Sequence, residues 1–227
     1  MRKLHSSWML GVVVLLAIAL AGCNGDETTS VAETESAQIE EAEANSLESD
    51  VATETSAVDA AEVEVALVPE IDGDVAAGEY AHELSLGGMR VHWSNDDDRL
   101  RMALVAPGTG YVSAGFDPTD RKVGANFVIG YVADGETVVR DHYGTRGNLH
   151  EADTDLGGTD DLLAFAGTEA GGETTIEFVI PLDSGDSYDR PLQPGQTYVL
   201  LVSYQDSRDD FISWHSRHGI GEITLDP

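Results

Sequence analysis

Short runs of apolar or alternating residues, separated by clusters of Gly, Asp, Asn and Pro, recur along most of the chain. The clearest case joins residues 127–132 to residues 137–141 through an Ala-Asp-Gly turn, which predicts a β-hairpin. The first arm, FVIGYV, is apolar on both faces, so we expect a buried strand inside a sheet. Turn residues at 95–98 and at 171–172 predict two more hairpins.

The remaining apolar runs continue this pattern, and none of them has a convincing helical period. Further strands are predicted at residues 89–93, 100–105, 111–116, 162–166, 174–180, 198–204, 211–214 and 220–225. Many short strands at this spacing indicate an all-β fold, either an antiparallel β-sandwich or a barrel. Residues 68–227 have about the size of one domain, and we assign the fold to them.

The N-terminus has the layout of an export signal. A basic start is followed by an apolar run over residues 8–20, which is too short for a confident membrane span. The Leu-Ala-Gly-Cys string that ends at Cys23 resembles a bacterial lipobox. We therefore expect residues 1–22 to be a lipoprotein signal peptide and Cys23 to carry a membrane-anchoring lipid; the alternative is a generic signal peptide with a chance cysteine. Either the periplasmic or the cell-surface face of the envelope would suit the anchored protein.

Residues 23–67 consist mostly of Glu, Ala, Ser and Thr, with hardly a large apolar side chain. Such a segment cannot bury enough apolar surface to offset its chain entropy, so we predict a disordered acidic tether. The whole chain has 42 Asp and Glu against 12 Lys and Arg, a formal net charge of -30. This balance disfavours nucleic acid and anionic lipid as partners, because like charges repel.

Cys23 is the only cysteine, which limits the cofactors the protein can hold. A disulfide, a covalent haem attached through C-x-x-C-H and a thiolate zinc site are all excluded. The sequence also has no nucleophile elbow, zinc-protease helix or phosphate-binding glycine loop. We therefore expect no enzyme.

Several strings together resemble a known family. They are IDGDVAAGEY at residues 71–80, YVSAGFDPTDRKVGANFVIGYVADG at 111–135, the short strings RDHYG and HEAD, and WHSRHGIGEITL near the C-terminus. This order is similar to that of DOMON domains, which include the cytochrome domain of cellobiose dehydrogenase. The resemblance implies an immunoglobulin-like β-sandwich that binds a small ligand, either haem b for electron transfer to a redox partner protein or a sugar.

The resemblance also implies a pair of haem ligands. Haem-binding members carry an axial methionine in a segment that matches residues 121–126, and Lys122 occupies its place here. The second axial ligand, a histidine near the C-terminus, matches His215 best, with His218 as the alternative. Lysine binds iron as the neutral amine, and its deprotonation at pH 7 costs roughly 4.6 kcal/mol unless burial lowers the pKa. The competing interpretation is that Lys122 is a solvated turn residue.

Other side chains are weaker candidates for the haem site. A thioether is a good ligand for haem iron, so Met89 is a reserve partner for His215. His142 and His150 accompany the family-like strings RDHYG and HEAD, and we expect both to be structural.

A non-catalytic carbohydrate-binding module of the envelope is the main alternative function. It predicts exposed aromatic side chains along a polar groove, for which Trp93, Tyr111 and Tyr143 are candidates. A third alternative is a domain that docks a protein partner and holds no small ligand.

The acidic string HEADTDLGGTDDLL contains a candidate calcium site. Alternating carboxylates and glycines can wrap Ca²⁺ with oxygen ligands, here Asp153, Asp155, Asp160 and Asp161. The spacing is not that of an EF-hand, because no Glu stands at the twelfth position. A solvated acidic loop is the alternative in a protein with this charge.

Overall fold

The computed structural model describes residues 68–227. The expected signal peptide, its lipidated Cys23 and the expected tether lie outside the described residues. Within residues 68–227 there are eleven β-strands and one short helix. They are β1 His82–Leu86, β2 Met89–Asn95, β3 Arg99–Pro107, β4 Val112–Phe116, β5 Asn126–Ala133, β6 Glu136–Arg146, β7 Leu149–Ala152, α1 Asp153–Leu156, β8 Ala164–Ala170, β9 Glu173–Pro181, β10 Thr197–Tyr204 and β11 Arg217–Thr224.

The strands form two antiparallel sheets, so the predicted all-β sandwich is confirmed. One sheet has five strands in the order β1-β2-β3-β9-β8, and the other has six in the order β11-β10-β4-β5-β6-β7. Large side chains from both sheets, such as Leu100 and Phe178 from one and Phe116 and Leu200 from the other, are fully buried between them. The predicted central strand is β5, which pairs with β4 on one side and β6 on the other.

Alternation along β5 and β6 gives the six-stranded sheet two different faces. Val128 and Val139 point into the core between the sheets. Their neighbours Phe127 and Ile129 point the other way and belong to a second apolar cluster on the outer face. This outer cluster shows that the sheet is apolar on both sides, as the sequence FVIGYV predicts.

The predicted strand at residues 211–214 is wrong, because this segment lies in the loop between β10 and β11. The carboxylate of Asp210 accepts hydrogen bonds from the backbone N–H groups of Ile212 and Ser213, at 2.9 and 2.6 Å. This local turn competes with strand pairing for the same donors. Strands β1 and β7 and helix α1 are additions that the pattern did not predict.

Two side chains considered for binding, Met89 and Trp93, are buried in the core between the sheets. Met89 is 2% exposed in the cluster between the sheets, which rules it out as the reserve haem ligand. Trp93 is also buried there, stacks on His82 and donates its indole N–H to the carbonyl of Thr224, so it cannot line a sugar groove. In the part of the chain described, no helix has the length and apolarity needed to cross a membrane.

Candidate functional site

The outer face of the six-stranded sheet carries an apolar floor. Its buried members are Tyr111, Ala125, Phe127 and Ile129, with Tyr131, Leu201 and Phe211 packed against them. Phe127 can lie over β4 because residue 115 is glycine: a Cβ atom there would come within 2.2 Å of the Phe127 ring. The close approach of ring and backbone therefore depends on Gly115.

Two adjoining clefts open above this floor. The first has a volume of about 290 Å³ and the second about 240 Å³, and both are lined by Lys122, Gly147 and His215. Tyr111, His150, Phe211 and Trp214 complete much of the first cleft. Phe127, Leu201, His218 and Ile220 do the same for the second. The sequence-predicted pair, Lys122 and His215, is thus brought to the same place from positions far apart in the chain.

The loop that carries Lys122 is held directly against β6. Gly124 and Gly144 are joined by a backbone hydrogen bond of 2.9 Å, and the Gly144 N–H donates to the carbonyl of Ala125 at the same distance. A Cβ atom on Gly144 would lie 1.6 Å from the carbonyl oxygen of Lys122. Only glycine at position 144 allows this contact, so Gly144 determines how closely the backbone of Lys122 approaches β6.

Lys122 lies in a turn, but its side chain is half-buried and so is not fully solvated. Its ammonium nitrogen, Nζ, lies 5.6 Å from the centre of the Phe127 ring, within the range of a cation–π contact. Burial lowers the pKa of Lys122 from its ordinary value. Because desolvation disfavours the charged form, it reduces the cost of presenting a neutral amine to a ligand.

The loop at residues 205–216 that carries His215 is held by several hydrogen bonds. The Asp210 carboxylate accepts from the Ser213 hydroxyl at 2.7 Å, in addition to the backbone N–H of the same residue. The Tyr111 hydroxyl donates to the Ser213 carbonyl at 3.0 Å. The Ser216 N–H donates to the carbonyl of Tyr204, which ties the loop to the end of β10. His215 is therefore presented by an ordered loop.

His215 has the electrostatic character of a neutral ligand. Burial lowers its pKa, and the nearby His218 and Lys122 lower it further. The rings of His215 and His218 lie 4.8 Å apart, centre to centre, and both line the second cleft. His218 thus remains close enough to be an alternative ligand, as the sequence suggested.

His150 is a cleft residue that the sequence analysis assigned to a structural role. Its Nδ1 lies 3.2 Å from Nδ1 of His142, and its ring packs 5.7 Å from the Phe127 ring centre. Burial, together with Lys122 and His142, lowers the pKa of His150 to about 3. Burial and Arg140 lower that of His142 to about 4. Both rings are neutral at pH 7, and His150 is a third side chain with a nitrogen donor, besides Lys122 and His215, that lines the first cleft.

The two tyrosines considered for a sugar groove lie in different places. Tyr111 lines the first cleft, whereas Tyr143 packs on Tyr188 away from both clefts.

The four predicted calcium ligands do not form one compact set of oxygen atoms. Asp155 and Asp160 are exposed, Asp153 is fully buried, and Asp161 instead joins two carboxylates from other parts of the chain.

Comparison with known families decides the family. Residues 85–205, more than half of the chain, match the model of the DOMON domain. The chain belongs to the DOMON family. The matched range includes Lys122 and β6 and ends before His215.

The DOMON chain also matches two curated proteins. It is 29% identical over 144 residues to DBH-like monooxygenase protein 1 of Mus musculus, covering 62% of this chain and 23% of that protein. It is 29% identical over 115 residues to MOXD1 homolog 2 of Drosophila melanogaster, covering 51% and 15%. The chain thus spans less than a quarter of each relative's length.

Solved structures with a similar arrangement have low identity to this DOMON domain. The cytochrome b domain of pyranose dehydrogenase from Coprinopsis cinerea matches with a TM-score of 0.46 and 8% identity, over 60% of this chain and 75% of that one. The cytochrome domain of Myriococcum thermophilum cellobiose dehydrogenase gives 0.45 and 10%, over 64% and 81%. A family 9 carbohydrate-binding module from Caldicellulosiruptor kristjanssonii, in complex with glucose, gives 0.34 and 14%, over 70% and 91%.

Proposed function

We propose that this DOMON domain binds haem b in the paired clefts and acts as an electron-transfer component, in which His215 and Lys122 would hold the haem iron. One observation carries the proposal: two side chains with nitrogen donors, more than ninety positions apart in the sequence, line the same clefts above an apolar floor. When bound, haem supplies a one-electron redox centre. This chain's own residues hold it, exclude water and set its surroundings.

The residues that line the clefts fit a haem in their chemistry. An axial imidazole must be neutral, and burial already favours that form of His215. A lysine ligand must lose its proton, and the burial of Lys122 acts in the same direction. Phe127 and Leu201 provide apolar cover, which excludes water and helps to set a redox potential. The guanidinium of Arg121 lines the second cleft and suits a propionate carboxylate.

The test is a visible spectrum of the full chain produced in a haem-supplied host. We expect a b-type spectrum on reduction, and its loss in His215→Ala with His218→Ala as the matched control. Lys122→Met should keep the haem and shift the potential, because the axial ligand changes while the pocket remains. The absence of any Soret band after haem titration of the wild type would refute the proposal. Loss in His218→Ala alone would move the ligand by three residues within the same cleft.

A sugar is the second candidate ligand, and one observation favours it. Trp214 is 76% exposed at the first cleft, where the amide of Asn148 and the hydroxyl of Ser213 provide polar groups. An exposed indole beside such groups suits the apolar face of a sugar ring. Binding to a glycan array that is lost in Trp214→Ala, in a protein that takes up no haem, would establish this alternative.

We further propose that the protein is exported and anchored to the cell envelope through a lipid on Cys23. The support is the basic start, the apolar run and the lipobox-like string at residues 20–23. The prediction is incorporation of a labelled fatty acid into the wild type and none into Cys23→Ser. Equal labelling of the two proteins would exclude Cys23 as the anchor.

A further inference from the structure

Three carboxylates from separate segments meet on the inner side of β6. Asp141 lies on β6, Asp161 lies in the connection before β8, and Asp189 lies in the connection between β9 and β10. One oxygen from each lies within 4.8 Å of one from each of the others. The backbone N–H of Asp161 donates to Asp141 Oδ2 at 3.3 Å, which fixes the two segments together.

The carboxylate of Asp141 points into this cluster without a partner for one of its oxygens. Asp141 is 2% exposed, and within residues 68–227 its Oδ1 has no hydrogen-bond partner. The same holds, among the residues described, for Oδ1 of Asp189, whose other oxygen accepts from the Ser184 hydroxyl. A buried charged oxygen without a donor is costly, so these atoms need either a proton or a cation.

A fourth carboxylate adds to the negative charge at this place. Asp153, at the start of α1, is 0% exposed, and neither of its oxygens has a partner within the described part of the chain. Burial and mutual repulsion raise the pKa of Asp141 to about 9, that of Asp153 to about 7 and that of Asp189 to about 6. The largest charged influences on the pKa values of Asp141, Asp153 and Asp189 come from other carboxylates.

We propose that Asp141, Asp161 and Asp189 bind a hard divalent cation, calcium by preference, that joins β6 to the two connections beside it. Carboxylate oxygens are the ligands that such ions select. Calcium fits better than magnesium because the ligands come from segments without a regular geometry, and magnesium demands a near-ideal octahedron. The site differs from the one expected in the string HEADTDLGGTDDLL, because two of its three ligands, Asp141 and Asp189, lie outside that string.

The site and the haem clefts are separate. Asp141 shares the inner face of β6 with Val139, whereas His142 points to the outer face and packs on Phe211. The cation therefore stabilises the fold behind the clefts and touches neither Lys122 nor His215. Failure of haem binding leaves this proposal intact, and failure of calcium binding leaves the haem proposal intact.

The test is calorimetric titration of CaCl₂ into the full chain after treatment with EDTA, paired with thermal unfolding. We expect one saturable site above the weak binding of a highly acidic protein, and a Tm raised by several degrees at saturation. Asp189→Asn should weaken that site at least tenfold, because it removes one charged ligand. The matched control is Asp155→Asn, an exposed carboxylate of the same loop region, which should bind as the wild type does.

Asp141→Asn gives a second variant. Its amide is neutral at every pH and avoids the cost of protonating a buried carboxylate, so the variant should be more stable than the metal-free wild type while binding calcium more weakly. The proposal is overturned if the wild type shows no saturable site. It is also overturned if Asp189→Asn and Asp155→Asn bind calcium equally, which would mean that the buried carboxylates share protons and hold no cation.

Discussion

Asp141 and His142 are neighbours on β6, yet they belong to two different regions of the molecule. Asp141 faces inward and meets other carboxylates, whereas His142 faces outward and packs on His150 and Phe211. Burial removes water from both, and in both it favours the neutral form: the pKa of Asp141 rises to about 9 and that of His142 falls to about 4. The same desolvation cost thus shifts the pKa values of two adjacent residues in opposite directions.

The two regions differ in the kind of ligand that could compensate for the water they lose on burial. The outer clefts present nitrogen atoms above aromatic rings, which suits a large apolar ligand with a metal at its centre. The inner cluster presents oxygen atoms and negative charge, which suits a small hard cation. Strand alternation alone separates these two chemistries by the thickness of one sheet.

The largest effect is expected for Gly144→Ala, which should damage the outer region alone. The new Cβ would overlap the carbonyl of Lys122, so we expect a loss of about 3 kcal/mol in the free energy of unfolding and loss of haem binding. Gly147→Ala is the matched control for stability only, because residue 147 also lines both clefts; its Cβ would meet only the Arg121 side chain, at 3.2 Å. Chemical denaturation and the visible spectrum measure the two effects. Equal behaviour of the two variants would show that Gly144 does not position the Lys122 loop.

His142→Phe should change how stability depends on pH. The pKa of His142 is lowered in the folded protein. Its contribution to the free energy of unfolding is therefore complete above the pKa of the unfolded chain, about 6.5, and is lost as pH falls toward about 4. Between pH 7.5 and pH 5 the free energy of unfolding should therefore fall by roughly 2 kcal/mol more in the wild type than in the variant, at about 1.36 kcal/mol per pKa unit. Urea unfolding at several pH values measures this difference.

His150 titrates in the same direction, so the variant keeps part of the acid sensitivity. The calcium response of His142→Phe should equal that of the wild type, because the substitution lies on the other face of β6. Parallel stability curves for the two proteins would show that His142 is not buried as a neutral imidazole.

The smallest effect on stability is expected for Trp214→Ala. The indole is 76% exposed, so the free energy of unfolding should change by no more than about 0.5 kcal/mol. The ligand of the first cleft, by contrast, should bind more weakly because an aromatic wall is lost. Unfolding and binding measured on the same sample give both values. A large loss of stability would mean that Trp214 is packed and not available to a ligand.

Much of the fold could be predicted from local patterns. Alternation and turn residues identified the β5–β6 hairpin and the buried β5, because side-chain periodicity is set by the strand itself. Residues 211–214 were misassigned because apolar residues in a loop look like a short strand. The carboxylate of Asp210 decides the matter by holding the local turn.

The candidate site was predicted less completely. Lys122 and His215 came from the resemblance to DOMON domains, and the structure brings them to the same clefts. His150 was not recognised as a cleft residue, since nothing in the string HEAD shows which way its ring points. Met89 was wrongly held in reserve, because a strand pattern tells which residues share a face but not which face meets the other sheet.

The sequence by itself determined most of the strands and turns, the presence of a single cysteine and the strong negative charge, because these follow from residue types and local spacing. Only the tertiary structure decided which distant side chains meet. Asp141, Asp161 and Asp189 are dispersed among many other acidic residues, and they meet only because the sandwich brings three segments together and buries Asp141. Burial and proximity of this kind are properties of the packed chain, so no local pattern records them.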